Sequence, residues 1–190
     1  MPSAEYDLRY LRAGLVMLEK YLLSNELYWP IGTHPPAGEP PYPRLTLSAM
    51  LLARRRVHAR PLDADQRAAL AEMEQQMDAL RSNWRVAWGK KAVAEFRARL
   101  TLWRNFMEEY RDKPDANADR YGYEVGRRVQ LHLLAPDAGD VPQSELELLN
   151  GLDKLLRAVF VPGDFTWEAE LEPAFPKDPF WYLYGRLREQ

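Results

Sequence analysis

Between residues 84 and 112 the large apolar side chains fall where only a helix can gather them. Val93, Phe96, Leu100, Trp103, Met107 and Tyr110 alternate steps of three and four, and Trp84, Trp88 and Ala92 extend the stripe backwards. That rhythm places them on one side of an α-helix, whereas a strand would scatter them over both faces. Such a helix, from Trp84 to Asp112, would be about 43 Å long at ~1.5 Å per residue, and Pro114 closes it. One apolar side of that length must be covered by other elements, so the chain is expected to be mainly α.

Shorter stretches repeat the pattern. Leu8, Leu11, Leu15, Leu18 and Leu22 form the seam of a first helix capped by Ser3 and ending near Ser24–Asn25. A second helix is expected from Thr46 to Ala59, before Pro61. Asp63 and Gln66 have the spacing of a capping box and open a third, with Leu70, Met73, Met77 and Leu80 inward. Ser82–Asn83 is the weakest point between the third helix and the fourth. A fifth helix is expected over 117–135 with Tyr121, Val125, Val129 and His132–Leu133 as its stripe. Gly122 and Gly126 on it would permit close helix–helix approach. Ser144 and Glu147 suggest a capping box for a sixth, carrying Leu146, Leu149, Leu152, Leu156 and Phe160.

Two segments break the helical rhythm. Residues 29–44, WPIGTHPPAGEPPYPR, contain six prolines and two glycines, which remove amide donors and favour extended backbone. Tyr28, Trp29, Ile31 and Tyr42 suggest a structured connection lying over one end of the bundle, and a cover of that kind could line a pocket. Residues 162–178 are expected to be extended, because Phe165, Trp167, Ala169 and Leu171 alternate with polar neighbours. This segment either pairs as a strand with 27–31 or lies unpaired against the bundle. Asp178-Pro179 then has the form of a helix start, with Phe180, Leu183, Tyr184 and Leu187 on one side of a last helix over 179–188. The expected architecture is a single-domain helical bundle over 1–190, of about five to seven helices. Its 190 residues suffice for one core, and 46% hydrophobic content with a net charge of −2 excludes a disordered chain.

Motifs of chemistry are absent. There is no cysteine, which removes disulfides, thiolate metal sites and thiol catalysis. His34, His58 and His132 are the three histidines, and none sits three or four residues from another or after a Glu-x-x, so no metal or cofactor is expected. His132 on an apolar stripe is better explained as a core histidine. No nucleophile elbow and no phosphate-cradling glycine loop appears. The first residues, MPSAEYDLRYLRAG, contain acids and no apolar leader, and no apolar run approaches the ~20 residues of a membrane span, so a cytoplasmic location is expected. Twenty arginines against six lysines suggest a bacterial coding sequence.

Charge is distributed unevenly. Residues 44–62 hold five arginines and no acid; 81–111 hold eight bases and three acids; 140–190 hold five bases and ten acids. Arg54, Arg55, Arg56 and Arg60 form the densest run, although Arg54–Arg56 would fan over roughly 200° of a helix. Lys90, Arg97, Arg104 and Arg111 recur every seven residues beside the apolar stripe of the fourth helix. That ridge either meets an anionic partner or is answered by Glu168, Glu170 and Glu172.

Three functions fit these features. The first is non-catalytic protein–protein interaction or self-association, including a homodimer, through Phe180, Trp181 and Tyr184 and the charged ridge. The second is nucleic-acid association through Arg54–Arg60 and the ridge, against which stands a pI near 6.0. The third is an enzyme or small-ligand binder with a pocket under the proline-rich segment, near Trp29, His34 and His58.

Overall fold

The computed structural model of the protein describes residues 2–189. It is mainly α, with seven helices and one two-stranded antiparallel sheet among those residues. The helices are α1 (Ala4–Leu23), α2 (Leu47–His58), α3 (Ala64–Asn83), α4 (Arg85–Asp112), α5 (Pro114–Asn117), α6 (Tyr121–Leu134) and α7 (Gln143–Val159). The strands are β1 (Phe160–Phe165) and β2 (Tyr184–Leu187). No helix is long and apolar enough to cross a membrane.

Side-chain caps set the first three helix starts. Ser3 Oγ accepts from Tyr6 N at 3.1 Å and Thr46 Oγ1 from Ala49 N at 3.2 Å. At α3 both arms of the box form: Asp63 Oδ1 accepts from Gln66 N at 2.8 Å, and Gln66 Oε1 from Asp63 N at 3.1 Å. The box suggested at Ser144 and Glu147 does not form, because α7 begins at Gln143 behind Pro142 with no side-chain cap. α3 and α4 are separated at Trp84, whose φ of −111° and ψ of 32° leave the helical region.

α4 runs through the interior. Trp88, Ala92, Phe96, Leu100, Trp103, Met107 and Tyr110 are all buried, and Val93 is half-buried. α6 packs along α4 and also against α2, while α1 lies on α2 and α3. The fifth helix, expected over 117–135, starts at Tyr121, the first residue of its stripe, and α5 and a 3-10 turn (Ala118–Arg120) precede it. Leu131 and Leu134 are buried there, in place of the expected His132 and Leu133, which are half-buried.

Residues 29–44 follow α1. Tyr42 packs on Tyr6 and Tyr10, with ring centroids 4.9 and 5.8 Å away. Tyr6 Oη donates to the Pro41 carbonyl at 3.0 Å, and Arg9 grips both carboxylate oxygens of Glu39. Trp29 and Leu45 exchange both backbone hydrogen bonds, at 3.1 and 2.8 Å, tying the two ends of the segment together.

The C-terminal region does contain an extended, β-paired segment, but the last helix and the strand's partner differ from the sequence expectations. No helix forms over 179–188: Trp181–Leu183 is a 3-10 turn and Tyr184–Leu187 is β2. β2 pairs with β1 and not with residues 27–31, in the register Phe160↔Leu187, Val161↔Arg186, Pro162↔Gly185 and Phe165↔Tyr184. The alternation over 165–171 is only partly strand, because Ala169–Ala174 is a 3-10 turn. Gly185 explains the choice: its φ is +149°, and a Cβ there would lie 2.2 Å from the Val161 carbonyl oxygen. A helix cannot include that conformation, and only glycine allows β1 so close.

Candidate functional site

α2, α4 and α6 converge on a groove of about 450 Å³, within the range of ligand sites. Pro43 and Arg44, at the end of the proline-rich segment, flank one side, and Trp167 another. Ala49, Leu52 and Leu102 give it an apolar floor, and four arginines enter it: Arg44, Arg56, Arg99 and Arg127.

Three of these arginines are held by carboxylates buried inside the bundle. Asp7, fully buried on α1, accepts from Arg56 Nε at 2.9 Å and from Arg56 Nη2 at 2.5 Å. Glu95, fully buried on α4, accepts from Arg99 Nε at 3.3 Å and from Arg99 Nη2 at 3.1 Å. Its Oε2 accepts from Ser48 N at 3.0 Å, and the Ser48 hydroxyl donates to Oε1, the oxygen that also takes Arg99. Glu95 therefore fixes α4 to the amide-rich start of α2, where negative charge is favoured. Glu124, buried on α6, pairs with Arg127 one turn on and with Arg120 at 3.0 Å. Fixing a guanidinium from behind reduces the ordering a ligand must impose on it.

The charge is not balanced. Asp7 is shared with Arg60, which also meets Glu170, and Glu124 with Arg120, which also meets Glu109, so the excess rests on Arg44. Arg44 has no carboxylate partner among the described residues. Burial lowers the pKa of Arg127, and the nearby charges of Arg99 and Arg120 push it the same way. Arg56 and Arg99 each spend Nε and Nη2 on their carboxylates, leaving Nη1 without an acceptor among the described residues.

Aromatic rings accompany the cations. The Arg99 guanidinium lies 5.8 Å from the centre of the Tyr28 ring, and that of Arg127 lies 6.0 Å from Tyr123. Tyr123 is 81% exposed, the most open of the large hydrophobic side chains, so much of its ring is open beside Arg127. Trp167 is fixed by a hydrogen bond from Nε1 to the Gly122 carbonyl at 2.8 Å. Gly122 and Gly126 do bring a neighbour close, but it is the Thr166–Trp167 segment and not another helix.

The residues expected to carry function are dispersed. Arg54 pairs with Glu74 at 2.8 Å, and Arg55 donates from Nε to the Ala174 carbonyl at 2.6 Å beneath the Phe180 ring. Arg60 is buried, bonded to Asp7, Glu170 and the Pro2 carbonyl. Only Arg56 of that run reaches the groove. On the ridge, Arg97 meets Glu145 at 2.9 Å, Arg104 meets Glu108 at 3.8 Å, and Arg111 meets Asp112 at 3.7 Å. Glu168 and Glu170, expected opposite the ridge, serve Arg60 instead, and Glu172 interacts with Tyr184. Lys90 has no ion-pair partner among the described residues.

Phe180 is fully buried within its own chain, packed on Phe175, Tyr182 and His132, so it cannot act as a surface contact. Trp181 and Tyr184 are half-buried, and Arg157 stacks 3.7 Å over the Trp181 ring. Trp29, His34 and His58 do not line the groove: Trp29 bridges to Leu45, His34 is exposed, and His58 Nε2 sits 2.8 Å from Glu74. Among the described residues no three His, Asp or Glu side chains are placed to hold a metal ion.

Arg99, Arg127 and Tyr123 carry the groove and were not singled out by sequence. A signal existed: Glu95 interrupts the apolar side of α4 four residues before Arg99, and a buried acid requires a partner. Comparison with protein-family models, curated proteins and solved structures finds no match.

Proposed function

We propose that this chain is a non-catalytic binding protein whose groove between α2, α4 and α6 holds a small anionic ligand bearing an apolar ring. The supporting observation is that Arg56, Arg99 and Arg127 enter one apolar groove, each backed by a buried carboxylate, beside exposed tyrosine faces. Pre-oriented guanidiniums recognise planar anions through paired hydrogen bonds. Self-association through the C-terminal aromatics has less support, because Phe180 is spent on the chain's own core. Nucleic-acid association through Arg54–Arg60 also has less, because those arginines are occupied by internal carboxylates and carbonyls.

Calorimetric titration with 1-naphthoate and with neutral 1-naphthol tests the proposal. The anion binds, the alcohol does not, and raising salt weakens the anion. Replacing Arg99 and Arg127 together by methionine reduces naphthoate affinity at least about tenfold, the scale of one charge-assisted bond. Naphthoate binding that survives this double replacement would refute the proposal.

A further inference from the structure

Resting on that groove, we infer that its ligand is a phosphate monoester joined to a planar ring, with the phosphate between Arg99 and Arg127 and the ring on Tyr123.

Two arginines from different walls share the space. Arg99 comes from α4 and Arg127 from α6, and each stands beside its own tyrosine, Tyr28 or Tyr123. Their free donors point to one anion held from two sides: Nη1 of Arg99, and Nε and Nη2 of Arg127, have no acceptor among the described residues. The internal acids cannot neutralise the set. Arg44, Arg56, Arg99 and Arg127 line the groove against Asp7, Glu95 and Glu124, which leaves one cation over. Arg60 and Arg120, which share two of these acids, also meet Glu170 and Glu109. A carboxylate brings one negative charge to this surplus. A phosphate monoester brings about −1.5 to −2 near pH 7 and three acceptor oxygens, enough to reach both guanidiniums.

The ring requirement comes from the exposed tyrosine. Tyr123 is 81% exposed, whereas Tyr121, two residues earlier on the same helix, is 2% exposed. Tyr123 lies on the open side of α6, with the Arg127 guanidinium over its ring. Stacking on a tyrosine face beside a guanidinium is open to any planar ring. Ring-bearing phosphate monoesters have several sources, among them nucleoside monophosphates, pyridoxine phosphates and phosphotyrosine, and they share this chemistry.

The experiment titrates the full chain by calorimetry and follows the tryptophan indole N–H signals by NMR, with Trp167 assigned through Trp167→Phe. The probes are 1-naphthyl phosphate, 1-naphthoate, glycerol 3-phosphate, AMP, UMP, pyridoxine 5′-phosphate and O-phosphotyrosine. Naphthyl phosphate is expected to bind at least about tenfold tighter than either naphthoate or glycerol 3-phosphate, the equivalent of one further charge-assisted bond or one stacked ring. The Trp167 indole signal shifts with it. Tyr123→Ala, at an exposed position, weakens naphthyl phosphate by about fivefold or more and leaves glycerol 3-phosphate unchanged. The tightest of the four biological probes identifies the source. Naphthoate equal to naphthyl phosphate would overturn the phosphate assignment while leaving an anion groove standing. Glycerol 3-phosphate equal to naphthyl phosphate, or an indifferent Tyr123→Ala, would overturn the ring. If neither naphthoate nor any phosphate binds, the groove itself is not a ligand site and both proposals fall.

Discussion

α4 and the segment from Phe160 to Leu187 both carry fully buried aromatic residues, yet they are held in different ways. On α4, Phe96, Trp103 and Phe106 are buried at helical spacing, and backbone hydrogen bonds are satisfied within the helix itself. In the C-terminal segment Phe175, Phe180 and Tyr182 are equally buried, but several carbonyls in it and at its end are satisfied by side chains from the helices. Arg55 bonds the Ala174 carbonyl, Tyr121 Oη the Tyr182 carbonyl at 2.6 Å, and Tyr110 Oη the Arg188 carbonyl at 2.6 Å. Cations sit over its rings: Arg128 at 4.7 Å from Tyr182 and Arg55 at 4.6 Å from Phe180. An element that closes its own hydrogen bonds needs only an apolar cover, whereas one that does not needs named partners at fixed places.

The contrast can be broken by substitution. Trp103→Ala on α4 should cost about 3–5 kcal/mol, because it removes a wholly enclosed side chain and leaves a cavity the surrounding helices cannot fill. Denaturant unfolding measures this, and a cost below about 1 kcal/mol would show that α4 is not the centre of the core.

Asp7→Asn should cost somewhat less, about 3 kcal/mol, by leaving Arg56 and the buried Arg60 without their shared carboxylate. Arg60 also holds Glu170, so the damage should concentrate in the tethered segment. Hydrogen exchange should accelerate over 168–187 well before it does in α4. Uniform acceleration along the chain would erase the distinction between the two regions.

The smallest effect is a pH dependence. His132 packs edge-on against Phe180 at 4.7 Å, and burial, followed by the charges of Arg128 and Arg55, lowers its pKa below the ordinary value. The unfolded chain therefore takes up this proton first as pH falls, and stability declines below about pH 6.5 toward the depressed native value. His132→Gln should flatten that part of the stability–pH curve. An unchanged curve would mean that protonation of His132 is not felt by the segment.

Legibility divided along the same line. The apolar stripes of α1, α3 and α4 were visible because each residue's partners sit on neighbouring turns of its own helix. The Asp63–Gln66 box was visible for the same local reason. The alternation of Phe165, Trp167, Ala169 and Leu171 suggests a strand, but β1 ends at Phe165 and pairs with β2, neither with residues 27–31 nor left unpaired. Tyr184–Leu187 looked helical because Phe180, Leu183, Tyr184 and Leu187 share a helical face. The arginine run at 54–56 attracted attention by density, while the groove uses one residue from it together with Arg99 and Arg127, 28 positions apart. Nothing local links those two.

The sequence by itself determined that the chain is mainly helical and where most helices start and stop, since periodicity, caps and prolines act within a few residues. Tertiary structure alone decided that Gly185 would close β2 onto β1, that Asp7, Glu95 and Glu124 would turn inward beneath three arginines, and that Tyr123 would stay open beside them. Those outcomes rest on contacts between residues far apart in the chain, where a charge's partner is chosen by which helices meet, and burial sets the strength of the pairing.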